Sequence, residues 1–110
     1  MLSRIVLSLC ISSSLSAYAF GQSVIVKYRE TPIDLKHLAC TKTVSSFVNE
    51  VCYDRSKQYL IILLNTTRYH WCEVDPATVG ALLAADSKGR YFNANIKGKF
   101  DCRTKQVPTY

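Results

Sequence analysis

Residues 58–85 read QYLIILLNTTRYHWCEVDPATVGALLAA, a stretch that passes from strand to helix with its punctuation visible. Gln58 to Leu64 is a β-branched and aromatic run, too short to cross a membrane and suited to a buried strand. Asn65-Thr66-Thr67 supplies turn residues, and Arg68 to Val74 reads as the returning strand. The same triplet fits a glycosylation acceptor, but its residue types are ordinary for a turn. Asp75 can accept from first-turn N–H groups as an N-cap, and Pro76 suits the first helical position, where a missing N–H costs nothing. Val79, Leu82 and Leu83 then form a stripe at i, i+3, i+4, which predicts a helix over Pro76 to Ala85 lying on the sheet.

Working upstream, Phe47 to Tyr53 predicts a further strand, joined to the next by the polar turn Asp54-Arg55-Ser56-Lys57. Ser23 to Tyr28 alternates through Val24 and Val26 as a half-buried strand does. Between them, Arg29 to Thr43 has no sustained period and reads as a covering segment, with one helical turn around Leu35 to Leu38 and a fastening disulfide at Cys40. Downstream, Ser87-Lys88-Gly89 reads as the helix stop, with Gly89 in the left-handed position. A shorter helix from Arg90 to Ile96 follows, Phe92 and Ile96 on one face and Gly98 closing it; a strand there is the alternative. The expected class is α+β: a three-stranded antiparallel meander, covered on one face by one amphipathic helix and a short C-terminal helix, with an N-terminal strand and covering segment.

The chain has 110 residues, 48% hydrophobic and 20% charged, which bounds it to one ordinary globular domain. Arg4, the apolar stretch Ile5 to Leu15 and Ala17-Tyr18-Ala19 read as an export signal cleaved after Ala19, leaving a chain without a transmembrane segment in the periplasm or outside the cell. The expected organisation is signal 1–19, N-terminal extension 20–44, a domain over 45–102 and a basic tail 103–110. Losing Cys10 with the signal turns five cysteines into four, Cys40, Cys52, Cys72 and Cys102, the even number an oxidising compartment would pair into disulfides. In a meander Cys52 and Cys72 lie two strands apart, beyond direct reach. That leaves Cys40–Cys52 with Cys72–Cys102, or Cys40–Cys72 with Cys52–Cys102, the first being preferred.

A rival use of the same residues is metal binding, because His37 with Cys40 and His70 with Cys72 offer two ligand pairs. Neither pair has knuckle spacing, and Cys52 and Cys102 would be left over, so the reading carries no metal and no cofactor. Catalytic motifs are absent. His70 is the best candidate base, with Glu50 or Asp54 as helper, and a structural histidine is the preferred reading. The chain has 14 basic and 8 acidic residues, and the excess gathers late, at Lys88, Arg90, Lys97, Lys99, Arg103 and Lys105 against Asp101. These positions are candidate contacts for an anion or for nucleic acid, although a solvated face and tail is the preferred reading. Tyr53, Tyr59, Tyr69 and Trp71 could share a sheet face and stack bases, although Tyr69 and Trp71 are better placed to receive the helix stripe.

Three blocks, SSFVNEVCYD at 45–54, RYHWCEVDP at 68–76 and SKGRYFNANIKGKF at 87–100, resemble those of the KTSC domain family. The residues that carry the resemblance are Ser45, Ser46, Tyr53, Asp54, Tyr69, Trp71, Val74, Ser87, Gly89, Tyr91, Phe92, Asn93, Ile96 and Phe100. Trp71 stands where the family's Tyr-x-Tyr has its second tyrosine, and the proline falls one place late, as Asp75-Pro76. The resemblance implies a small bacterial module, also found at the C-terminus of some lysyl-tRNA synthetases, and through that context RNA binding. Together the residues read as an exported, disulfide-containing, non-enzymatic binding module. Its expected partner is a protein or an anionic envelope component, with RNA or DNA as the alternative.

Overall fold

A computed structural model describes residues 22–110; the signal segment and Cys10 lie outside the described residues. The elements are β1 (Ser23–Val24), β2 (Ile33–Asp34), a 3-10 turn (Leu35–His37), β3 (Ala39–Lys42), β4 (Val48–Asp54), β5 (Tyr59–Leu64), β6 (Thr67–Trp71), α1 (Pro76–Ala84), α2 (Lys88–Asn95) and a second 3-10 turn (Cys102–Thr104). The sheet holds four strands in the order β3-β4-β5-β6 rather than three. β3 comes from the middle of the expected covering segment and pairs antiparallel with β4, Cys40 opposite Cys52 and Lys42 opposite Glu50. All four of its residues are exposed, so no alternation of burial marks it. Ladder hydrogen bonds and the Cys40–Cys52 bond hold it instead.

Register sorts the meander's side chains into two layers. Val51, Tyr53, Leu60, Ile62, Tyr69 and Trp71 occupy one face and pack with Val79, Leu82, Phe92 and Ile96 from the helices. Cys52, Tyr59, Ile61 and His70 occupy the other, covered by Val24, Val26, Ile33, Leu35 and Leu38. With both faces covered, Tyr59, Leu60, Ile61 and Ile62 are all at most 1% exposed, which is why the run reads as continuously apolar. Each such burial contributes roughly 1.5 to 3 kcal/mol. It also separates Tyr59 from Tyr53, Tyr69 and Trp71, which do not form one four-membered aromatic face with it.

The Asp75 cap forms as read: its carboxylate accepts from the Thr78 N–H at 3.1 Å and from the Thr78 hydroxyl at 2.8 Å, and Pro76 opens α1. The chain then turns earlier than expected. α1 closes with the Ala85 N–H donating to the Leu82 carbonyl, and Ser87 becomes the N-cap of α2, accepting from the Arg90 N–H at 3.2 Å. Gly89 therefore lies inside the first turn of α2 and does not terminate α1. A Cβ there would stand 2.5 Å from Phe47 Cε1, so close packing of helix on ring, and not a left-handed turn, requires glycine. Gly98, at φ +76, takes the left-handed position. β6 stops at Trp71, short of Val74, because Glu73 turns at φ 57 and sends the Val74 N–H to the Gln58 carbonyl at 2.9 Å. The N-terminal strand is likewise short: β1 pairs with β2, and Val26 makes a single parallel bridge to Arg68.

Disulfides join Cys40 to Cys52 and Cys72 to Cys102, closing the choice left by the sequence. The first staples edge strand β3 to its neighbour. The second ties the end of β6 to the segment after α2, so its loop encloses the whole helical layer.

Candidate functional site

β6 is the second edge of the sheet, and its backbone determines where a site can form. The Arg68 carbonyl accepts from the Lys27 N–H at 2.8 Å, and the Cys72 N–H donates to the Phe100 carbonyl at 2.8 Å. Strand alternation turns the His70 N–H and C=O outward between these two bonds, and no backbone group of the described residues fills the gap. A cleft of about 520 Å³ opens there, walled by Tyr28 on one side, Tyr69, His70 and Trp71 along the strand, and Lys99, Asp101 and Arg103 on the other. Because it lies off an edge, side chains of both sheet faces reach it.

Two of its flanks are strained. Tyr28 sits at φ 69 and Phe100 at φ 56, the left-handed region that bulky residues avoid at a cost of roughly 1 to 3 kcal/mol each. For Tyr28 the return is not burial, since the residue is 78% exposed. Its ring lies 6.4 Å from that of Tyr69 at 49°, and Tyr69 lies 6.4 Å from Trp71 at 47°. The Lys27 ammonium stands over both tyrosines, 5.5 Å and 5.7 Å from the ring centres, within cation–π range. Trp71 is held from behind by an edge-on contact with Phe92 at 5.5 Å.

At the floor, His70 Nδ1 lies 2.7 Å from the Tyr59 hydroxyl, which also lies 3.4 Å from an Arg29 guanidinium nitrogen. Burial pushes the Tyr59 phenol above its ordinary range, so it keeps its proton. With Arg29 donating to the phenol oxygen, Nδ1 is the acceptor within reach of the phenol hydrogen, an arrangement in which a neutral His70 carries its own proton on Nε2. Burial first, and the Arg29 charge second, hold His70 below its ordinary pKa, against a smaller opposing pull from Asp101. At the rim, Asp101 is held low by the side-chain bond from Arg103: Arg103 Nε donates to Oδ2 at 2.8 Å and NH2 lies 2.7 Å from the same oxygen. Oδ1 accepts only the Arg103 backbone N–H at 2.9 Å. Among the described residues, Arg103 Nη1 and the second lone pair of Asp101 Oδ1 are left without a partner.

Of the candidate anion contacts, the structure brings Lys99 and Arg103 to this cleft. Lys88 donates to the Ala85 carbonyl at 3.0 Å between the helices, Arg90 and Lys97 are exposed elsewhere, and Lys105 is paired with Glu73 at 3.1 Å. His70 works with Tyr59 and not with Glu50 or Asp54. Glu50 is held by Arg68 at 2.9 Å, while Asp54 accepts from Ser56, Lys57 and Tyr110. The four-ligand metal set does not assemble: Cys40 and Cys72 are in separate disulfides, and His37 stacks on Tyr110 at 4.5 Å. Among the described residues Cys40, Glu50 and Cys52 do come within ligating distance of one another, but both sulfurs are spent in their disulfide and the carboxylate is on Arg68. The sequence reads Lys27 and Tyr28 as a strand end and does not single out the Tyr59–His70 pair. The only trace of the pair in the sequence was that both positions fall on the same side of adjacent strands.

The motif residues organise the frame behind the cleft. Ser45 Oγ accepts from the Val48 N–H at 3.2 Å at the start of β4, with Ser46 exposed beside it. The Tyr53 hydroxyl donates to the Val74 carbonyl at 2.6 Å, and Asp54 shapes the β4–β5 turn. Ser87 caps α2, Gly89 admits Phe47, Phe92 and Ile96 are buried, Tyr91 is half-buried and Asn93 is exposed.

Comparison with known proteins agrees with this division. The chain is similar to a KTSC domain protein from Yersinia pestis, whose crystal structure superposes with a TM-score of 0.55 at 29% identity, over 58% of this chain and 92% of that one. No curated protein matches it. The KTSC domain pattern matches residues 44–100, which takes in the meander and both helices and leaves out the N-terminal layer and the Cys102 segment that complete the cleft. On a match over half its length, this chain belongs to the KTSC domain family.

Proposed function

We propose that this protein is an exported, non-enzymatic binding module and that its ligand seat is the cleft beside β6. The observation that carries the reading is Tyr28: a large aromatic side chain, 78% exposed, is held out to solvent at the mouth of a concave site, on the left-handed backbone of the turn in which the Arg29 N–H donates to the Val26 carbonyl. Export is supported by the signal-like first 19 residues and by the two disulfides. Among the described residues, no helix is long and apolar enough to cross a membrane. Binding rather than turnover is favoured because all four described cysteines are bonded and the Nδ1 of His70 is occupied by Tyr59.

The test compares the wild-type chain with a Tyr28→Ala variant, each immobilised and exposed to the envelope and secreted fractions over a salt series. Recovery of one component by the wild type and its loss with the variant supports the reading; equal recovery by both overturns it. Peptide mapping of the native protein tests export: a chain starting near residue 20 with no free thiol is expected, and an intact N-terminus with all five cysteines as free thiols refutes it. The alternative reading, nucleic-acid binding, is favoured by Lys27, Lys99 and Arg103 standing around the exposed Tyr28 ring and the half-buried Tyr69 ring. It requires affinity that falls steeply with salt, and a flat response sinks it.

A further inference from the structure

We propose that the ligand of this cleft is an acidic saccharide, a pyranose ring carrying a carboxylate; the inference rests on the cleft being the binding seat. The first argument is shape. Sandwiching a flat base requires two nearly parallel rings, whereas Tyr28, Tyr69 and Trp71 are turned by 49° and 47° from one to the next. The result is a concave, faceted apolar wall, which fits the C–H face of a puckered ring better than a planar heterocycle.

The second argument is the polar complement. Sugar hydroxyls both donate and accept, and a vicinal pair is matched by an acceptor and a donor set side by side. Asp101 and Arg103 provide that pair, their carboxylate and guanidinium bonded to each other with Oδ1 and an outer guanidinium nitrogen still available. His70, which lines the cleft, adds a ring N–H in the tautomer that the Tyr59 bond sets. The third argument is charge. Lys27, Lys99 and Arg103 outweigh Asp101 around the cleft, which favours an anion. Asp101 nevertheless opposes a phosphate dianion more than a single carboxylate, and it has no role in recognising either unless a hydroxyl is present to donate to it.

The experiment titrates the full exported chain, disulfides intact, with tri-galacturonate, with maltotriose as the uncharged ring control and with adenosine monophosphate as the nucleotide control, following amide shifts by NMR. Saturable shifts centred on Tyr28, His70 and Asp101, at least tenfold tighter for tri-galacturonate than for either control, are expected. Tyr28→Ala should weaken binding about tenfold, with the amide spectrum otherwise retained. Asp101→Asn separates recognition from bulk charge: hydroxyl recognition predicts weaker binding, whereas attraction of any anion predicts tighter binding because a negative charge is gone. Equal affinity for maltotriose, tighter binding of the nucleotide, or a gain on Asp101→Asn each overturns the saccharide assignment. If tri-galacturonate fails while Tyr28→Ala still abolishes capture from the envelope fraction, the ligand class is wrong and the cleft stands; if both fail, the cleft itself is not the seat.

Discussion

Removing the Cys72–Cys102 disulfide by the double substitution C72A/C102A should destabilise the fold more than removing Cys40–Cys52, and the difference can be worked from the loops each closes. Cys72–Cys102 spans 30 residues and Cys40–Cys52 spans 12. On the chain-entropy relation, closing these loops in the unfolded chain is worth about 3.6 and about 2.8 kcal/mol respectively. Packing widens the gap. Both Cys72 and Cys102 are buried in the layer beneath the N-terminal segment, at 3% and 7% exposure, whereas Cys40 is exposed and only Cys52 is interior. Truncating two buried side chains leaves voids at both ends of the first bond and at one end of the second. For a small domain with a total stability of roughly 5 to 15 kcal/mol, either loss is large. Urea unfolding followed by Trp71 fluorescence measures it, since that indole is nearly buried against Phe92. We expect C72A/C102A to lose at least ~1 kcal/mol more than C40A/C52A. An equal loss, or a larger one for C40A/C52A, would refute the view that the bond enclosing the helical layer is the stronger constraint.

Two glycines in neighbouring helices should respond with opposite sign to alanine. Gly80→Ala meets nothing within 4 Å and should stabilise by up to ~1 kcal/mol through helix propensity, while Gly89→Ala drives a Cβ into the Phe47 ring and should cost about 1 to 2 kcal/mol net; denaturation midpoints shifted the same way would contradict this. Asp75→Ala removes the α1 cap and should cost about 1 kcal/mol by the same assay, and a midpoint unchanged within error would mean the cap is dispensable. For pH, His70 has a folded pKa below its unfolded value, so the unfolded chain takes up more protons as pH falls. Its contribution is full above the unfolded value, near 6.5, and is lost as pH drops from there toward the lowered folded value. Stability measured between about pH 5 and 8 should therefore fall on the acid side, and His70→Phe should flatten that slope; an unaltered slope would place the titrating group elsewhere.

Much of the frame was legible because its causes are local. β5 and β6 announce themselves as apolar and aromatic runs around a turn, and Asp75-Pro76 fixes the start of α1 by hydrogen-bond chemistry within one helical turn. The second helix was read in nearly the right place but with the wrong start. Ser87 and Gly89 are chemically as suitable for ending a helix as for beginning one, and only the position of Phe47, 42 residues before Gly89 and just ahead of β4, decides between them. The site was half legible. Lys99 and Arg103 stood out by charge, but Tyr28 was read as the end of a strand, because nothing in its neighbours signals a left-handed backbone.

The sequence by itself determined that the chain has a sheet passing into a capped helix, an even set of four cysteines beyond the signal-like segment, and the three blocks of its family. Each of these rests on side-chain type and short spacing, which survive without knowledge of the fold. Tertiary structure alone decided that β3 joins the sheet, that Cys40 pairs with Cys52 and Cys72 with Cys102, and that His70 finds Tyr59. It also alone decided that Lys27, Tyr28 and the 99–103 segment meet at the β6 edge. These are long-range pairings set by strand register and by backbone hydrogen bonds that every residue type can make, so no local pattern encodes them.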